Sequence, residues 1–256
     1  MSVSDNRGFY NQLSPENWRL ILGENLHYHF GIFSAPTDTF QSALENAVRS
    51  FYGWIPEGAS LLDLGSGWGG PARLLRAEKG CTPLCITSSD SQAAYIKNLQ
   101  CQVIQADLEE QLPLRGHWDI ALMLESLEHI KNKSRLLEEI RSCASRLILR
   151  VNCTASAGMV NQSVFGGSMM MPTQAALLDT LHNSGWKVRY ICNRRLKSYE
   201  SVIHWKKGIN ELRNKFSLSS AQLPAHLMAL ESLCNGALLS PREWMANNPL
   251  IDIVAD

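Results

Sequence analysis

The sequence predicts an α/β fold, a mostly parallel sheet with helices on both faces and a helical cap. Two observations carry this. Short apolar runs alternate with helical patterns through the middle of the chain, and that alternation needs right-handed crossovers between parallel strands. A glycine cluster (Gly65, Gly67, Gly69, Gly70) stands between the first apolar run and the helix after it, where open parallel sheets form their ligand crevice.

Residues 37–52 carry apolar side chains at Phe40, Leu44, Val48 and Phe51, the spacing of a helix with one buried stripe. SLLDL is the first strand of the alternation. The helix after it has Pro71 in its first turn and Gly80 just past its end, the asymmetry expected of helix termini. TPLCIT, QVIQAD, WDIALML and RLILRVN read as further strands, with SQAAYIKNLQ and SRLLEEIRSCAS as helices between them. A loop containing FGGSMMMP follows. TQAALLDTLHN then reads as a helix stopped at Gly185, and WKVRYICN as a strand. Helical patterns over residues 199–216 and about 221–234 lead to PLIDIVAD, the last strand. One domain of 256 residues results: an N-terminal lid (1–56), a core (57–153), a cap with one core helix and strand (154–235) and a closing strand (236–256).

Lysine plus arginine is 24 and aspartate plus glutamate is 24. A neutral chain has no bulk field to hold a polyanion, so neither nucleic acid nor an acidic membrane surface is the expected partner. Hydrophobic residues are 45%, too many for a disordered chain. No apolar run reaches the roughly 18 residues of a membrane span, and the polar N-terminus does not read as a secretory signal. Seven cysteines without a CxxC pair read as reduced, mostly buried thiols and not as a metal site. The expectation is a cytoplasmic protein without a metal, monomeric or homodimeric.

The pattern Gly65-x-Gly67-x-x-Gly70 matches a dinucleotide fingerprint, but Asp63 precedes it by two residues. A carboxylate there repels a pyrophosphate and attracts the ammonium and sulfonium of S-adenosylmethionine. Alternatively, Asp63 only ties down the loop. NAD proteins place an acid at the end of the second strand; here the chain runs Thr87-Ser88-Ser89-Asp90-Ser91-Gln92. Thr87 and Gln92, with Ser88 between them, offer neutral hydrogen bonds to a ribose, while Asp90 reads as a helix N-cap. Asp107, at the third strand's end, can accept from an adenine amino group while Leu108 packs on the ring; an ordinary loop aspartate is the other reading.

In four stretches the sequence resembles a class I S-adenosylmethionine-dependent methyltransferase. DLGSGWGGPARLL is similar to the family's D-x-G-C-G-x-G-G loop, with Ser66 in place of the common cysteine. ITSSDSQAAYI is similar to I-T-L-S-x-x-Q, LESLEHI to E-S-x-x-H, and GENLHYHFGIF to the N-terminal segment that closes over the cofactor. The resemblance covers roughly residues 9–205. It is strongest to the small-molecule group of tocopherol C-methyltransferases, sterol methyltransferases, sarcosine/dimethylglycine N-methyltransferases and natural-product sugar O-methyltransferases. It implies a Rossmann-like fold and a small-molecule methyl acceptor. Gly65, Ser66 and Gly67 would lie at the methionine part of the cofactor, Thr87, Ser88 and Gln92 at the ribose, and Asp107 and Leu108 at the adenine. Glu125 would stand beside the methyl group, and Tyr10 with residues 28–30 would form the lid. Some sugar O-methyltransferases of the group have two consecutive histidines in E-S-x-x-H; here the first position is Glu128 and only His129 matches.

Glu125 is the first candidate on the acceptor side, to pair with an amine, take a proton or stabilise a cation; it could instead bond the cofactor or a loop. His129, four residues on, would share a helical face with it, or cap and pack. His27 and His29 flank Tyr28 in the lid, and one of them would face the acceptor unless both are structural. Asn152, Phe165, Met169, Tyr199 and His204 are candidates for an adaptable apolar acceptor pocket, with ordinary helix packing as the alternative for the cap residues. The reading is methyl transfer to N, C or O of a small, partly apolar metabolite, as in natural-product biosynthesis. The alternatives are a methyltransferase-fold cyclase or non-methylating binding protein, and an NAD(P)-dependent oxidoreductase.

Overall fold

A computed structural model describes residues 13–156, 162–164 and 167–256; Tyr10 and Phe165 lie outside them. The alternation is present. Strands β1 (Ser60–Leu64), β2 (Thr82–Thr87), β3 (Gln102–Gln105), β4 (Trp118–Leu124) and β5 (Ala144–Asn152) form five neighbouring parallel strands. Between and before them lie helices α1 (Pro15–Leu22), α2 (Phe40–Arg49), α3 (Gly70–Lys79), α4 (Asp90–Asn98) and α5 (Lys133–Cys143). The loop read from FGGSMMMP contains a small hairpin, β6 (Gln162–Val164) with β7 (Gly167–Met169). Then come α6 (Gln174–Asn183), β8 (Val188–Asn193), α7 (Arg195–Ser198), α8 (Glu200–Phe216), α9 (Ala225–Leu239), α10 (Pro241–Asn247) and β9 (Leu250–Ala255).

The strand order is β3-β2-β1-β4-β5-β9-β8, and β9 runs antiparallel to both of its neighbours. The chain winds outward from β1 through β3, then crosses back to β4 and winds the other way. The crevice of such a sheet opens where the order reverses, at the C-terminal ends of β1 and β4. Those two ends carry the glycine loop and Glu125.

The period-two alternation of the strands divides their side chains between two layers. Leu62, Leu64, Ala121, Met123, Leu147 and Leu149 pack with α5 and α6 through Leu136, Ile140, Leu177 and Leu181. Leu61, Ile120, Leu122 and Ile148 pack with Val48, Phe51 and Leu75 on the opposite face. Side-chain caps start several helices. The Thr39 hydroxyl accepts from Ser42 N, Ser89 from Gln92 N, Asn132 from Arg135 N and Thr173 from Ala176 N. Ser89, not Asp90, is therefore the N-cap of α4; Asp90 is its first helical residue. Helix α10 has no counterpart in the sequence reading, because its two large apolar residues, Trp244 and Met245, are adjacent and give no periodicity.

A third core forms the cap. Trp18, Ile21 and Leu22 of α1 pack with Val202, Trp205, Ile209 and Leu212 of α8 and Leu227 and Leu230 of α9. Trp68 of the glycine loop belongs to this cluster and is 1% exposed. Helices α1 and α8 touch backbone to backbone at Gly208, where an added Cβ would lie 2.1 Å from Leu20 O. Gly208→Ala is therefore expected to force the two helices apart and cost about 3 kcal/mol, near the upper end for overpacking. The shift of the urea midpoint measures it, and an unchanged midpoint would show that the crossing is loose.

Candidate functional site

The floor of the crevice is the turn after β1. Gly65 N and Ser66 N both donate to Ile86 O, each at 2.9 Å, and the Ser66 hydroxyl donates to the same carbonyl at 3.1 Å. The Ser66 side chain is thus occupied in bracing the loop on β2. Gly65 has φ +73° and an added Cβ would lie 2.4 Å from Ser126 Cβ, so the loops after β1 and β4 meet there only without a side chain. Ser126 Oγ closes the contact by donating to Leu64 O at 2.8 Å. Gly67, φ +53°, faces open space: a Cβ there meets nothing within 4 Å.

Beneath the loop, Asp63 is 3% exposed and its Oδ2 has no hydrogen-bond partner among the described residues. A carboxylate that tied down the loop would spend its oxygens on backbone amides. Instead, burial pushes its pKa up to about 7. At the end of β2, Thr87 Oγ1 donates to Gln92 Oε1 at 2.7 Å, and Gln92 Nε2 is buried with no hydrogen-bond partner among the described residues. Ser88 stands beside them, half-buried. After β3, Asp107 Oδ1 accepts from Glu109 N at 3.0 Å, and Leu108 Cδ1 is 3.8 Å from the place of a Cβ on Gly65. The ends of three successive strands thus bring Asp63, Gln92 and Leu108 around one loop.

Glu125 follows β4 directly. Its φ is +59°, a left-handed conformation that a residue with a side chain seldom adopts and that clusters at functional sites. Its amide donates to Arg150 O at 2.7 Å. Its Oε1 accepts from Phe30 N at 2.8 Å and its Oε2 from Asn152 Nδ2 at 3.2 Å. Glu128 is fully buried; its Oε1 accepts from Asn152 N at 3.1 Å and Asn152 Nδ2 at 2.6 Å, while Oε2 has no hydrogen-bond partner among the described residues. Asn152 Oδ1 accepts from Arg195 Nη2 at 2.6 Å. Every polar atom of the Asn152 side chain is therefore engaged within the protein. Burial first, then the charge of Glu128, pushes Glu125 up to about 7; Arg150, the Phe30 amide and Arg195 oppose this. Burial also raises Glu128.

The helical relation expected between Glu125 and His129 is absent. Glu125 lies outside the single 3-10 turn Leu127–His129 and is itself in the left-handed conformation, so no helical turn joins the two. His129 is pushed down to about 4 by desolvation and then by Lys133.

The roof is the segment 27–33. His27 Nδ1 lies 3.1 Å from His29 Nε2, and His29 Nδ1 lies 3.0 Å from Phe30 O. A carbonyl only accepts, so His29 Nδ1 donates to it. The Nε2 of a neutral His29 then accepts, and His27 Nδ1 donates. The His27 ring rests on the start of α3, where a Cβ on Gly70 would lie 2.8 Å from His27 Cδ2. Tyr28 packs on Trp18 at 5.6 Å. The Phe30 ring packs on Trp205 at 4.4 Å, and Gly31 N donates to Ser201 Oγ at 2.9 Å. Both histidines are thus structural in this arrangement, and the segment is fastened between the glycine-loop helix and the cap.

Of the proposed acceptor wall, Met169 and Met171 are buried, and Met170 N donates to Glu128 O at 2.7 Å. Tyr199 and His204 are occupied elsewhere. The Tyr199 hydroxyl donates to Ala237 O at 3.2 Å, and the His204 ring stacks on Phe40 at 4.7 Å and Phe33 at 5.8 Å. Sequence reasoning missed Arg195, which is 2% exposed, and gave Glu128 no role. The Arg195 side chain is remote in sequence from all its partners but Ser198, and no local signal marks it. Among the described residues no group of three His, Cys, Asp or Glu side chains converges as a metal site. The seven cysteines are unpaired and all but Cys192 are buried. No described helix is long and apolar enough to cross a membrane.

Burial holds His29 down to about 3 from an ordinary 6.5, and His27 is also well below its ordinary value. The unfolded chain therefore takes protons on these rings before the fold does. Their contribution is complete above pH 6.5 and falls on acidification, by about 1.4 kcal/mol per pH unit for each ring that titrates. Asp63 and Glu125, raised to about 7, act in the opposite sense. Urea midpoints are expected to show the advantage of the native chain over His29→Asn shrinking from pH 6.5 toward about 4.5. A constant difference would mean that the ring is charged in the fold.

The chain is 27% identical over 152 residues to a glycine/sarcosine/dimethylglycine N-methyltransferase of Actinopolyspora halophila, covering 54% of this chain and 26% of the relative. It is 28% identical over 143 residues to a sarcosine/dimethylglycine N-methyltransferase of Aphanothece halophytica, covering 52% and 48%. The chain thus aligns with about half or less of the length of these curated relatives. Its fold superposes on a cyclopropane synthase of Mycobacterium tuberculosis with TM-score 0.82 at 16% identity, covering 98% of this chain and 97% of the other. The family model described as a methyltransferase domain matches residues 38–191, more than half of the chain, which therefore belongs to the methyltransferase-domain family.

Proposed function

We propose that the protein is an S-adenosylmethionine-dependent methyltransferase that methylates N, C or O of a small, partly apolar metabolite in natural-product or specialised metabolism. The observation that carries this is Asp63: a buried carboxylate with an unpartnered oxygen, set under a glycine loop whose Gly67 faces open space. Such a site suits a ligand that brings positive charge to within hydrogen-bond reach and repels a phosphate bridge.

Bound S-adenosylmethionine supplies a methyl group activated by its sulfonium and leaves as S-adenosylhomocysteine. Asp63, Gly65 and Gly67 hold its cationic end, with Ser66 fixing the loop. Thr87, Ser88 and Gln92 serve the ribose; the unpartnered Gln92 Nε2 is a donor ready for it. Asp107 and Leu108 serve the adenine. Glu125 lies on the acceptor side, and its carboxyl, raised to about 7, is matched to exchanging a proton with an amine or hydroxyl near neutrality, with His129 as the second candidate. The N-terminal segment (1–56) and the cap (154–235) exclude water and align the acceptor, which supplies most of the acceleration in such a transfer. The curated relatives are N-methyltransferases by name, so small amines are the first acceptors to try.

Calorimetry with S-adenosylhomocysteine tests the reading. The native protein is expected to bind it, and Asp63→Asn to weaken binding at least about tenfold by removing one buried charge. Asp107→Ala is expected to weaken it less, and Glu125→Gln to leave it nearly unchanged while slowing transfer of labelled methyl to the acceptor. Binding of NADPH without S-adenosylhomocysteine would overturn the reading. Cofactor binding with no label transferred to any amine, hydroxyl or alkene acceptor would favour a methyltransferase-fold cyclase or a non-methylating binding protein.

A further inference from the structure

Phe30 is held twice. Its amide donates to Glu125 Oε1 at 2.8 Å, and its ring lies against the Arg195 guanidinium at 4.2 Å. Arg195 and Glu125 are joined in turn by Asn152, whose amide group donates to the carboxylate and accepts from the guanidinium. The contacts close a ring: Glu125, Asn152, Arg195, Phe30 and back to Glu125. Trp244 lies on the guanidinium at 4.6 Å, and Asn248 O accepts from Arg195 Nε. We propose that Arg195 is a positioning residue that, through Asn152 and Phe30, aims the Glu125 carboxylate and latches the 27–33 segment over the crevice.

The chemistry supports a relay over simple packing. An asparagine amide is free to flip unless both ends are specified, and here both are. Carboxylates occupy the donor side (Glu125 and Glu128), and the guanidinium occupies the acceptor side. Without Arg195 the carbonyl end of Asn152 loses its partner. The amide is then held from its donor side alone, and its placement between Glu125 and Glu128 is no longer fixed from both ends. Of the neighbouring cations, Arg150 and Arg194 are both paired with Asp252, and Lys133 donates to Ile130 O. Glu125, with its left-handed backbone, would then be held less firmly by one of the two contacts that orient its carboxylate, and Phe30 would lose one of its ring partners, Trp205 remaining. The consequence for methyl transfer rests on the acceptor-side reading of Glu125; the ring itself does not.

The test is amide hydrogen exchange at Phe30, read by NMR on the full chain, together with calorimetric binding of S-adenosylhomocysteine and a thermal melt. In Arg195→Met, Phe30 exchange is expected to speed up at least about tenfold, with cofactor-product affinity changed less than about threefold. Asn152→Leu, which is close in volume and offers no hydrogen bond, should do the same. The double variant should exchange no faster than either single variant, because one ring is broken once. Arg195→Lys keeps the charge and should recover part of the protection; it serves as the variant of record if Arg195→Met does not fold. Unchanged Phe30 exchange in these variants would overturn the proposal. So would fast exchange in Arg195→Met with slow exchange in Asn152→Leu, since Arg195 would then act by stacking alone. If the native protein fails to bind S-adenosylhomocysteine, the methyltransferase reading falls while the exchange experiment still decides the ring.

Discussion

Six charged side chains are gathered at the crevice edge of β4, β5 and β9, and the architecture there follows from the need to keep them neutral as a group. Glu125, Glu128 and Asp252 supply the negative charges; Arg150, Arg194 and Arg195 supply the positive ones. Isolated, a buried ion of this kind costs several kcal/mol. Arg150 meets Asp252 through two hydrogen bonds, at 2.7 and 2.9 Å, and ties the parallel half of the sheet to its antiparallel strand. Asn152, carrying no charge itself, distributes the remainder between two carboxylates and one guanidinium. The roof segment, the loop after β4 and the short helix α7 all end on this cluster, so each has one place to sit.

Much of this fold is legible in the sequence because its rules are local. Pro71 and Gly80 bracket α3, and Gly185 ends the α6 turn with φ +80°. The two-residue alternation of β1, β4 and β5 sorts Leu61 from Leu62 and Ile120 from Ala121. The direction of β9 is not local: PLIDIVAD is equally apolar whichever way it runs, and its sense is set by pairing with β5 and β8. Helix α10 fails to announce itself for want of periodic apolar residues.

The site divides along the same line. Asp63 and the glycines are recognisable because the chemistry they offer is contained in eight consecutive residues. The partners of Tyr199, His204 and Asn152 are not legible in the sequence, because helical or strand periodicity says that a side chain is on one face without saying what it meets. His204 meets Phe40 and Phe33, Tyr199 meets the α9 backbone, and Asn152 is consumed by its neighbours. Arg195 could not be read at all, since Phe30 and Asn152 are brought to it only by the completed fold. Trp68 is a similar case. It is embedded in the glycine motif, yet it packs into the cap, so the loop and the roof above it share one hydrophobic cluster.

The crossing of α1 and α8 at Gly208 sets a limit on how such a chamber can diversify. Because two backbones are already in contact, the cap helices have no slack along that axis, and a bulkier neighbour cannot be accommodated by sliding one past the other. Enlarging or reshaping the chamber must then proceed by trimming and exchanging individual wall residues, or by lengthening the hairpin between β5 and α6, with the helical roof beams kept in register. A lineage built on this frame would be expected to vary most at Met169 to Met171 and least where Leu20 faces Gly208.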